Sequence, residues 1–496
     1  MVRSTVKNSA RKTSASPTRR TFLQQVAAGG LAVGPGAALL ASCATGGDDD
    51  DDETDSGDGG SQADVTEDNP LGIAEDQPVE IYIFDGGFGD EYATQVHQPI
   101  FSEKWPDVEI NHNAAVDIGS ELQARFVAGD PPDFVNNSGD GSMDTAQLAS
   151  DGQLYDLTEL FDAPSWDDPA VTVRDTLIPG TIESGTRDGV PYVLNYAFTV
   201  FGLWYNKTLM DENGWPVPTT WQEMMDVCAD IKASGIAPWV YQGVTAPRYM
   251  NWPLLTMATK LAGPEILVPL DNLEEGAWGH EAIRESAAAL RSLKENDYFL
   301  PGVEGMEFRD AQGLWARGDA VFCPSGSWIE NEEADAIAED PTFELAMMPE
   351  PLLSEDAVMP LETIRATAGE PYLIPADAAN PRAAMEYMRA MLSVEGARGF
   401  TETVTSLTSV AAANEGVEFE APGLSSAQQA LTAAGDNVIN WLYPSWYPTL
   451  ENPGIDQATG ALLRADITVD EWVEQCEAAT AEIRNDDSIS KQTREA

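Results

Sequence analysis

The pattern of apolar and polar positions predicts alternating strands and helices through most of the chain. Val79–Phe84 alternates between apolar and polar side chains and runs into a glycine-rich loop, as a strand end does. Helical spacing follows over Glu91–Lys104, strand character over Val108–Ile110, and a further helix over 119–129 that ends at Gly129. This β-α-β-α order favours an α/β fold with a largely parallel sheet.

The same rhythm continues towards the C-terminus. The pattern predicts short strands at 134–135, 320–322 and 372–374, a helix within 148–160, and amphipathic helices at 381–392 and 469–483. Ligands of open α/β sheets bind in the crevice outside the carboxyl ends of the strands. Binding residues are therefore expected in the loops that follow strands.

Residues 1–42 have the features of an export signal. No acidic residue occurs before Asp48, and six basic residues precede or flank the start of an apolar stretch, Val26–Leu40. That stretch is too short to span the ~30 Å hydrocarbon core of a bilayer as a helix. Arg19 and Arg20 lie in a segment, TRRTFLQ, that resembles the twin-arginine export consensus.

The apolar stretch ends in Leu-Ala-Ser-Cys43, which resembles a lipobox. In lipoproteins the cysteine thiol receives a diacylglyceryl group, and acyl chains in pairs hold a protein stably on a membrane. The resemblance predicts lipidation at Cys43 and anchoring to the outer face of the cell membrane. Residues 43–75 include five consecutive aspartates (48–52) and few apolar side chains, so we expect an acidic, disordered tether.

Composition narrows the possible functions. The chain has 496 residues, with 27 Lys and Arg against 83 Asp and Glu, and a formal net charge of −56. At ~100–200 residues per domain this length favours two domains or one large one. Such acidity argues against nucleic acid, since phosphate contacts need clustered basic residues. It also keeps a surface protein soluble, and the sequence does not separate this role from adaptation to high salt.

Two common kinds of site find no support in the sequence. The three histidines and four cysteines offer no zinc-ligand spacing. Neither GxxxxGK[ST] nor GxGxxG follows a strand, so nucleotide binding lacks its usual loop. We therefore expect no metal and no cofactor.

Several motifs in order resemble the carbohydrate-binding proteins of ABC importers. They extend over roughly residues 78–485 and comprise Asn195–Lys207, Pro218–Glu223, Tyr249–Pro253, Gly318–Val321 and Gly326–Trp328. Further segments resemble the N-acetylglucosamine- and diacetylchitobiose-binding lipoproteins of actinomycete importers. These segments are 66–72, 129–133, 137–139, 156–165 and 174–183.

The resemblance implies a two-lobe fold of the type II periplasmic-binding-protein class, with the ligand cleft between the lobes. Lobe one would comprise 76–197 and 363–412, and lobe two 198–362 and 413–490. A ligand that contacts both lobes would favour a closed state by hinge bending. The implied function is extracytoplasmic capture of an amino sugar by a monomer, for a permease with an ATPase.

A sugar-binding site combines aromatic rings that pack on the face of a pyranose ring with polar side chains that form hydrogen bonds to its hydroxyl groups. The candidate ligand contacts are Asp85, Phe88, Asn137, Ser138, Asp140, Tyr196, Thr199, Tyr249, Trp252, Trp328, Glu370, Tyr372 and Trp446. Each aromatic residue has core packing as its alternative. Asn137, Ser138 and Asp140 have a role in an Asx-turn as theirs.

Other functions fit less well. Among 83 acidic residues, pairs with the spacing of glycosidase carboxylates occur by chance, so they do not indicate an enzyme. The chain has no GxSxG nucleophile motif, and Cys323 has no convincing histidine partner. A structural or adhesive surface protein is a third possibility and predicts flat surfaces rather than one aromatic cleft. Two alternatives remain for the cysteines of the folded body, Cys228, Cys323 and Cys476. Two of them form a disulfide, or all three are buried thiols.

Overall fold

A computed structural model describes residues 63–495 apart from 87, 140, 245, 417 and 418. The predictions at Arg19, Arg20, Cys43 and Asp140 therefore lie outside the described residues. The strands are β1 Val79–Phe84, β2 Ile110–Ala115, β3 Phe134–Asn136, β4 Thr186–Arg187, β5 Val190–Pro191, β6 Val193–Asn206, β7 Ala237–Trp239, β8 Ala320–Gly326, β9 Leu345–Met348, β10 Ile364–Leu373, β11 Leu407–Thr408 and β12 Val438–Ile439.

Helices flank these strands. The α-helices are α1 Gln98–Lys104, α2 Ile118–Ala128, α3 Thr145–Ser150, α4 Thr158–Asp162, α5 Thr181–Ser184, α6 Lys207–Asn213, α7 Trp221–Ser234, α8 Asn251–Ala262, α9 Leu267–Asp271, α10 Glu281–Glu295, α11 Phe308–Ala316, α12 Ile329–Glu332, α13 Ala334–Glu339, α14 Pro381–Met391, α15 Val394–Val404, α16 Ala411–Asn414, α17 Pro422–Ala434, α18 Tyr443–Trp446, α19 Asp456–Leu463 and α20 Val469–Asn485. Single turns of 3₁₀ or π-helix join several of them, at Ala93–His97, Arg174–Thr176, Pro247–Met250, Pro264–Ile266, Ala277–Gly279, Val303–Gly305 and Leu450–Ile455.

One sheet runs through both halves of the fold in the order β2-β1-β3-β10-β6-β8-β7. Strands β1, β2 and β3 pair in parallel, and so do β7 and β8. Strand β6, of 14 residues, and β10 lie antiparallel in the middle and link the two parallel parts. The predicted α/β fold is thus confirmed, with a single sheet through both halves. Its outer pairs are parallel, and β6 pairs antiparallel with β8, β9 and β10.

The two central strands carry side chains into two different hydrophobic cores. In β6, Leu194, Tyr196 and Ala197 pack with helices α1, α14 and α15, whereas residues from Phe198 onward pack with the large core around α7, α8 and α10. In β10 the division falls between Ala368 and Tyr372. We call the half that contains β1–β3 lobe one and the half that contains β7–β9 lobe two, and β6 and β10 the crossing strands.

Local sequence signals account for several of these elements. The Asp117 carboxylate accepts the Ser120 amide at the start of α2, and Gly129 ends that helix in the left-handed region, at φ +69°. Helix α7 begins with a capping box between Thr220 and Glu223. The strand predicted at Val108–Ile110 was placed too early, because the chain turns there and β2 begins only at Ile110.

The helix predicted within 148–160 is also only partly right. The segment holds the end of α3 and most of α4, because the chain leaves the helix at Gly152, whose φ is +68°. Cys228, Cys323 and Cys476 are all buried and free, so the alternative of three buried thiols is the correct one.

Candidate functional site

A cavity of about 580 Å³ lies between the lobes. Lobe one lines it with Phe84, Gly86, Val116, Asp117 and Gly141, and lobe two with Arg309, Asn331 and Glu332. This volume lies within the ~300–1,000 Å³ of small-molecule sites, which commonly form between domains. We call it the front cleft.

Phe84 supplies the aromatic surface of the lobe-one wall. It is the last residue of β1, and its ring packs over Gly86 and Gly139. A Cβ atom at these glycines would lie 1.9 and 2.3 Å from ring atoms of Phe84, so only glycine leaves room for the ring in this position. Gly139 also has φ +82°, which favours glycine. We did not predict Phe84, although a large apolar residue at a strand end before Asp-Gly-Gly was a usable signal.

Lobe two carries an aromatic cluster of Phe201, Tyr249, Trp252 and Trp328. The rings of Tyr249 and Trp252 stack, with centroids 4.0 Å apart. Trp328 packs edge-on against both rings and against Phe201, at 5.6–6.1 Å. Tyr249 and Trp328 are half-buried and Trp252 is buried. Helix α12 starts directly after Trp328 and brings Asn331 and Glu332 to the front cleft, so the cluster and the cleft are joined through one helical turn.

Arg365 packs against this cluster from the crossing strand β10. Its guanidinium carbon lies 4.1 Å from the ring centroid of Phe201 and 4.2 Å from that of Trp441. Its Nε donates to Asn440 Oδ1 at 3.3 Å. Burial lowers the pKa of Arg365 to about 10, so the side chain stays charged at neutral pH and its cation–π contacts persist. No local pattern in the sequence marks Arg365, because its partners lie far from it along the chain.

The lobe-two wall carries one carboxylate and one guanidinium, those of Glu332 and Arg309, and Glu333 lies next to Glu332 in the chain. Burial raises the pKa of Glu332 above its ordinary value. Burial and the neighbouring Glu332 together raise the pKa of Glu333 to about 7, against the opposing charge of Arg309. Buried oxygen acceptors beside a guanidinium are groups that hydroxyl-rich ligands can bond.

On the lobe-one side, Glu370 lies where β10 crosses between the lobes. Asn136 Nδ2 donates to Glu370 Oε1 at 3.1 Å and to Ser138 Oγ at 3.0 Å. Glu370 has φ +56°, a conformation that non-glycine residues adopt at a cost, often at functional sites. Burial raises the pKa of this carboxyl. Predicted residues Ser138 and Glu370 are thus brought together.

The other candidate ligand contacts in lobe one differ in where their side chains lie. Asp85 is exposed and directly precedes Gly86 of the front cleft. Phe88 packs edge-on against Phe400, 5.7 Å between centroids, at the edge of the lobe-one core. Asn137 braces its own loop: its side chain donates to the Met143 carbonyl and accepts from the Met143 amide, both at 2.8 Å. The Asx-type role weighed for Asn137 therefore describes it better than a free ligand contact.

Tyr196 and Tyr372 are core residues and not cleft residues. Both are fully buried. The Tyr196 hydroxyl donates to the Met391 carbonyl at 2.7 Å, and the Tyr372 hydroxyl lies 2.9 Å from that of Tyr92. Tyr196 lies three residues before Thr199 in β6, so the two side chains point to opposite faces of the strand, and that of Tyr196 packs in the lobe-one core. Thr199 is half-buried and pairs with Thr367 of β10.

Trp446 lines a second, larger cavity of about 1210 Å³ instead of the front cleft. The floor of this cavity includes Phe198, Ala366 and Ala368 of the crossing strands. Phe198 pairs with Ala368, whereas Phe201 pairs with Arg365 beside the aromatic cluster. Because successive strand residues face opposite sides, the second cavity opens on the face opposite to that cluster. We call it the rear groove.

The family follows from a match over most of the fold. The model of the bacterial extracellular solute-binding protein family matches residues 89–398. The chain belongs to this family. Its members are extracellular binding proteins, which places the chain outside the cytoplasm and among substrate-binding proteins of transporters.

Proteins similar in sequence to this solute-binding protein are named as sugar-binding proteins. It is 33% identical over 437 residues to the diacetylchitobiose binding protein NgcE of Streptomyces coelicolor, a match that covers 88% of this chain and 91% of the relative. It is 23% identical over 249 residues to the multiple sugar-binding protein of Streptococcus mutans, covering 49% of this chain and 56% of the relative.

Solved structures share the two-lobe fold. The apo form of RafE from Streptococcus pneumoniae matches with a TM-score of 0.64 at 20% identity, over 83% of this chain and 99% of that one. A chitin oligosaccharide binding protein matches with a TM-score of 0.62 at 18% identity, over 82% and 99%. The predicted type II periplasmic-binding fold is confirmed.

Two further observations concern the described part of this solute-binding protein. None of its helices there has the length and apolar character needed to cross a membrane. Within residues 63–495, the five omitted positions aside, no three His, Cys, Asp or Glu side chains come together as a metal site would require.

Proposed function

We propose that the chain is the lipid-anchored receptor of a carbohydrate ABC importer and captures N-acetylglucosamine, diacetylchitobiose or short chitooligosaccharides in the front cleft. The observation that carries the proposal is the composition of that cleft. An aromatic ring from lobe one, Phe84, and carboxylate and guanidinium groups from lobe two, Glu332 and Arg309, meet in one cavity. The relative at 33% identity, named for diacetylchitobiose, supports this class of sugar.

Each part of the cleft has a function in this proposal. Phe84 and the exposed edge of the aromatic cluster, Tyr249 and Trp328, pack against sugar rings. Glu332 and Arg309 bond hydroxyl groups, and Glu370 with Ser138 forms a polar end of the site. A buried donor or acceptor left without a partner costs ~1–3 kcal/mol, so these groups discriminate between an acetamido group and a hydroxyl.

Sugar capture would close the lobes about the crossing strands. The two lobes are taken as 76–197 with 363–412 and 198–362 with 413–490, and the separate cores on either side of β6 and β10 support this division. A sugar held by both walls favours the closed form by its differential affinity for that form. The permease and its ATPase would then recognise the closed receptor.

Calorimetric titration of the purified full chain tests the sugar. The titrants are N-acetylglucosamine, diacetylchitobiose, maltose and cellobiose. We expect binding of the two N-acetyl sugars and none of the other two. Binding of maltose or cellobiose alone would support the receptor function and contradict the proposed sugar. Release of products from any titrant would indicate a glycan-acting enzyme.

The matched variants are Trp328→Ala and Tyr249→Ala, with Val217→Ala, an exposed residue of lobe two, as the control. We expect the two aromatic variants to lose binding and the control to keep it. The anchor is tested separately by Cys43→Ala, which should move the protein from the membrane to the medium. Replacement of Arg19 and Arg20 by Lys should retain it inside the cell.

A further inference from the structure

The last described residues, 486–495, form a strap that is anchored on lobe two. Arg494 Nη1 donates to the fully buried carboxylate of Asp271 at 2.7 Å. The Arg494 amide donates to Asn272 Oδ1 at 2.7 Å, and Asn272 Nδ2 donates back to the Arg494 carbonyl at 3.0 Å. The Gln492 amide donates to the Tyr447 hydroxyl oxygen at 2.7 Å. These hydrogen bonds tie the strap to lobe two.

The strap and its neighbours also hold the hairpin β4–β5 of lobe one. The Asp188 amide, at the tip of the hairpin, donates to Gln492 Oε1 at 3.3 Å. Next to it, Arg187 Nη2 donates to the Ser445 carbonyl of α18 at 2.8 Å. Both bonds join lobe one to lobe two, and both depend on groups adjacent to the rear groove.

The position of these bonds determines what they oppose. Asp188, Gln492 and Arg494 line the rear groove, whose floor is the face of the crossing strands opposite to the aromatic cluster. A hinge rotation that brings the walls of the front cleft together moves apart the groups on the opposite face. The Asp188–Gln492 and Arg187–Ser445 bonds would have to lengthen or break during such a rotation.

We propose that the C-terminal strap and the β4–β5 hairpin form a rear latch that opposes closure of the lobes and so sets the sugar affinity. This inference rests on the proposed hinge closure. A hydrogen bond contributes a modest net free energy, and the two bonds that span the lobes together correspond to about a fivefold to tenfold change in the closing equilibrium. Release of the latch therefore tightens sugar binding by about that factor.

The test uses the full chain with spin labels at Val127→Cys in lobe one and Val358→Cys in lobe two. Both positions are exposed, and the three cysteines of the described chain are buried, so labelling is selective there once Cys43 is replaced by Ser. Pulsed electron resonance measures the distance between the labels without ligand. The variants are Arg187→Ala with Gln492→Ala, and Gln492→Ala alone should the double variant not fold.

Lys491→Ala is the matched control, since Lys491 Nζ donates to carbonyls within the strap itself, of Asp486 and Ile489. We expect the ligand-free distance distribution of the latch variants to shift from that of the parent and the control to leave it unchanged. Sugar titration should show the fivefold to tenfold gain. An unchanged ligand-free distribution, or weaker sugar binding, would overturn the latch.

The two proposals fail in different ways. A chain that binds none of the four sugars contradicts the proposed function, yet its ligand-free distance distribution still reports on the latch. If the parent and the latch variants bind N-acetyl sugars with equal affinity, the proposed function stands and the latch proposal is contradicted.

Discussion

The indole of Trp328 folds back over Gly326. A Cβ atom on Gly326 would lie 2.2 Å from Cζ3 of Trp328 and 2.5 Å from Cε3, distances that no real side chain tolerates. Gly326 ends strand β8, and Trp328 precedes helix α12, which carries Asn331 and Glu332 to the front cleft. The glycine two residues before the tryptophan therefore has a steric reason: it leaves room for the ring directly before the helix that reaches the front cleft.

Gly326→Ala should displace the Trp328 ring and weaken sugar binding at least about tenfold, approaching the effect of Trp328→Ala. Calorimetry gives the affinity, and the tryptophan fluorescence spectrum reports the ring's surroundings. Gly305→Ala is the control, because a Cβ there would meet no atom within 4 Å. Unchanged affinity in Gly326→Ala would show that the ring position is not needed for binding.

Phe84→Ala should remove the aromatic surface of the lobe-one wall and lower sugar affinity at least about tenfold, with a smaller change for Phe84→Tyr. The physical reason is that the half-buried ring both lines the cavity and packs on the two glycines beneath it. Val116→Ala, at an exposed residue of the same wall, serves as the comparison. An affinity of Phe84→Ala equal to that of the parent would exclude a stacking role for Phe84.

Local chemistry made much of the fold predictable. Val79–Phe84 alternates and is a strand with these bounds, and Gly129 ends α2 because only a residue that tolerates positive φ fits there. Both features depend on a few consecutive residues. The two-lobe arrangement was predicted from resemblance and not from periodicity, since no local pattern indicates that β6 and β10 pass between two cores.

The candidate site was less predictable because it depends on contacts between distant segments. The guanidinium of Arg365 is held between Phe201 and Trp441, residues 164 and 76 positions away in the chain. Nothing near residue 365 in the sequence marks this contact. The same limit explains the wrong prediction for Tyr196. Its sequence context suits a cleft position and a core position equally well, and only the folded structure shows that its hydroxyl lies 2.7 Å from the Met391 carbonyl.

Glu333→Gln should change how stability depends on pH. Burial and Glu332 raise the pKa of Glu333 from 4.5 to about 7 in the folded state. Between these two values the folded protein binds a proton that the unfolded chain has released, so the stability contributed by this group falls as pH rises from 4.5 through 7. Glutamine stays neutral throughout and does not pay this cost.

The stability of Glu333→Gln relative to the parent should therefore rise by about 2–3 kcal/mol between pH 4 and pH 8. Urea unfolding at a series of pH values measures the difference. Glu339→Gln, at an exposed residue of the neighbouring helix, should show a flat difference. A flat difference for Glu333→Gln as well would mean that Glu333 is ionised at little cost in the folded protein.

Asp271→Ala should be among the most destabilising single changes in lobe two. The fully buried Asp271 carboxylate accepts from the amides of Leu442 and Tyr443, at 2.7 and 2.9 Å, and from Arg494. It thus holds both the start of α18 and the strap. Removal of one partner of a buried ion pair costs ~3–5 kcal/mol, and here two backbone amides also lose their acceptor.

Arg494→Ala should cost less, about 1.5–3 kcal/mol, because Asp271 keeps both backbone amides as donors. Urea unfolding compares the two variants with Asp211→Ala, which removes an exposed ion pair with Lys207 and should change stability by less than about 1 kcal/mol. If Asp271→Ala proved no more destabilising than Asp211→Ala, the buried carboxylate would not be the anchor of the strap, and the rear latch would have to be held by Asn272, Tyr447 and the Asn440 carbonyl.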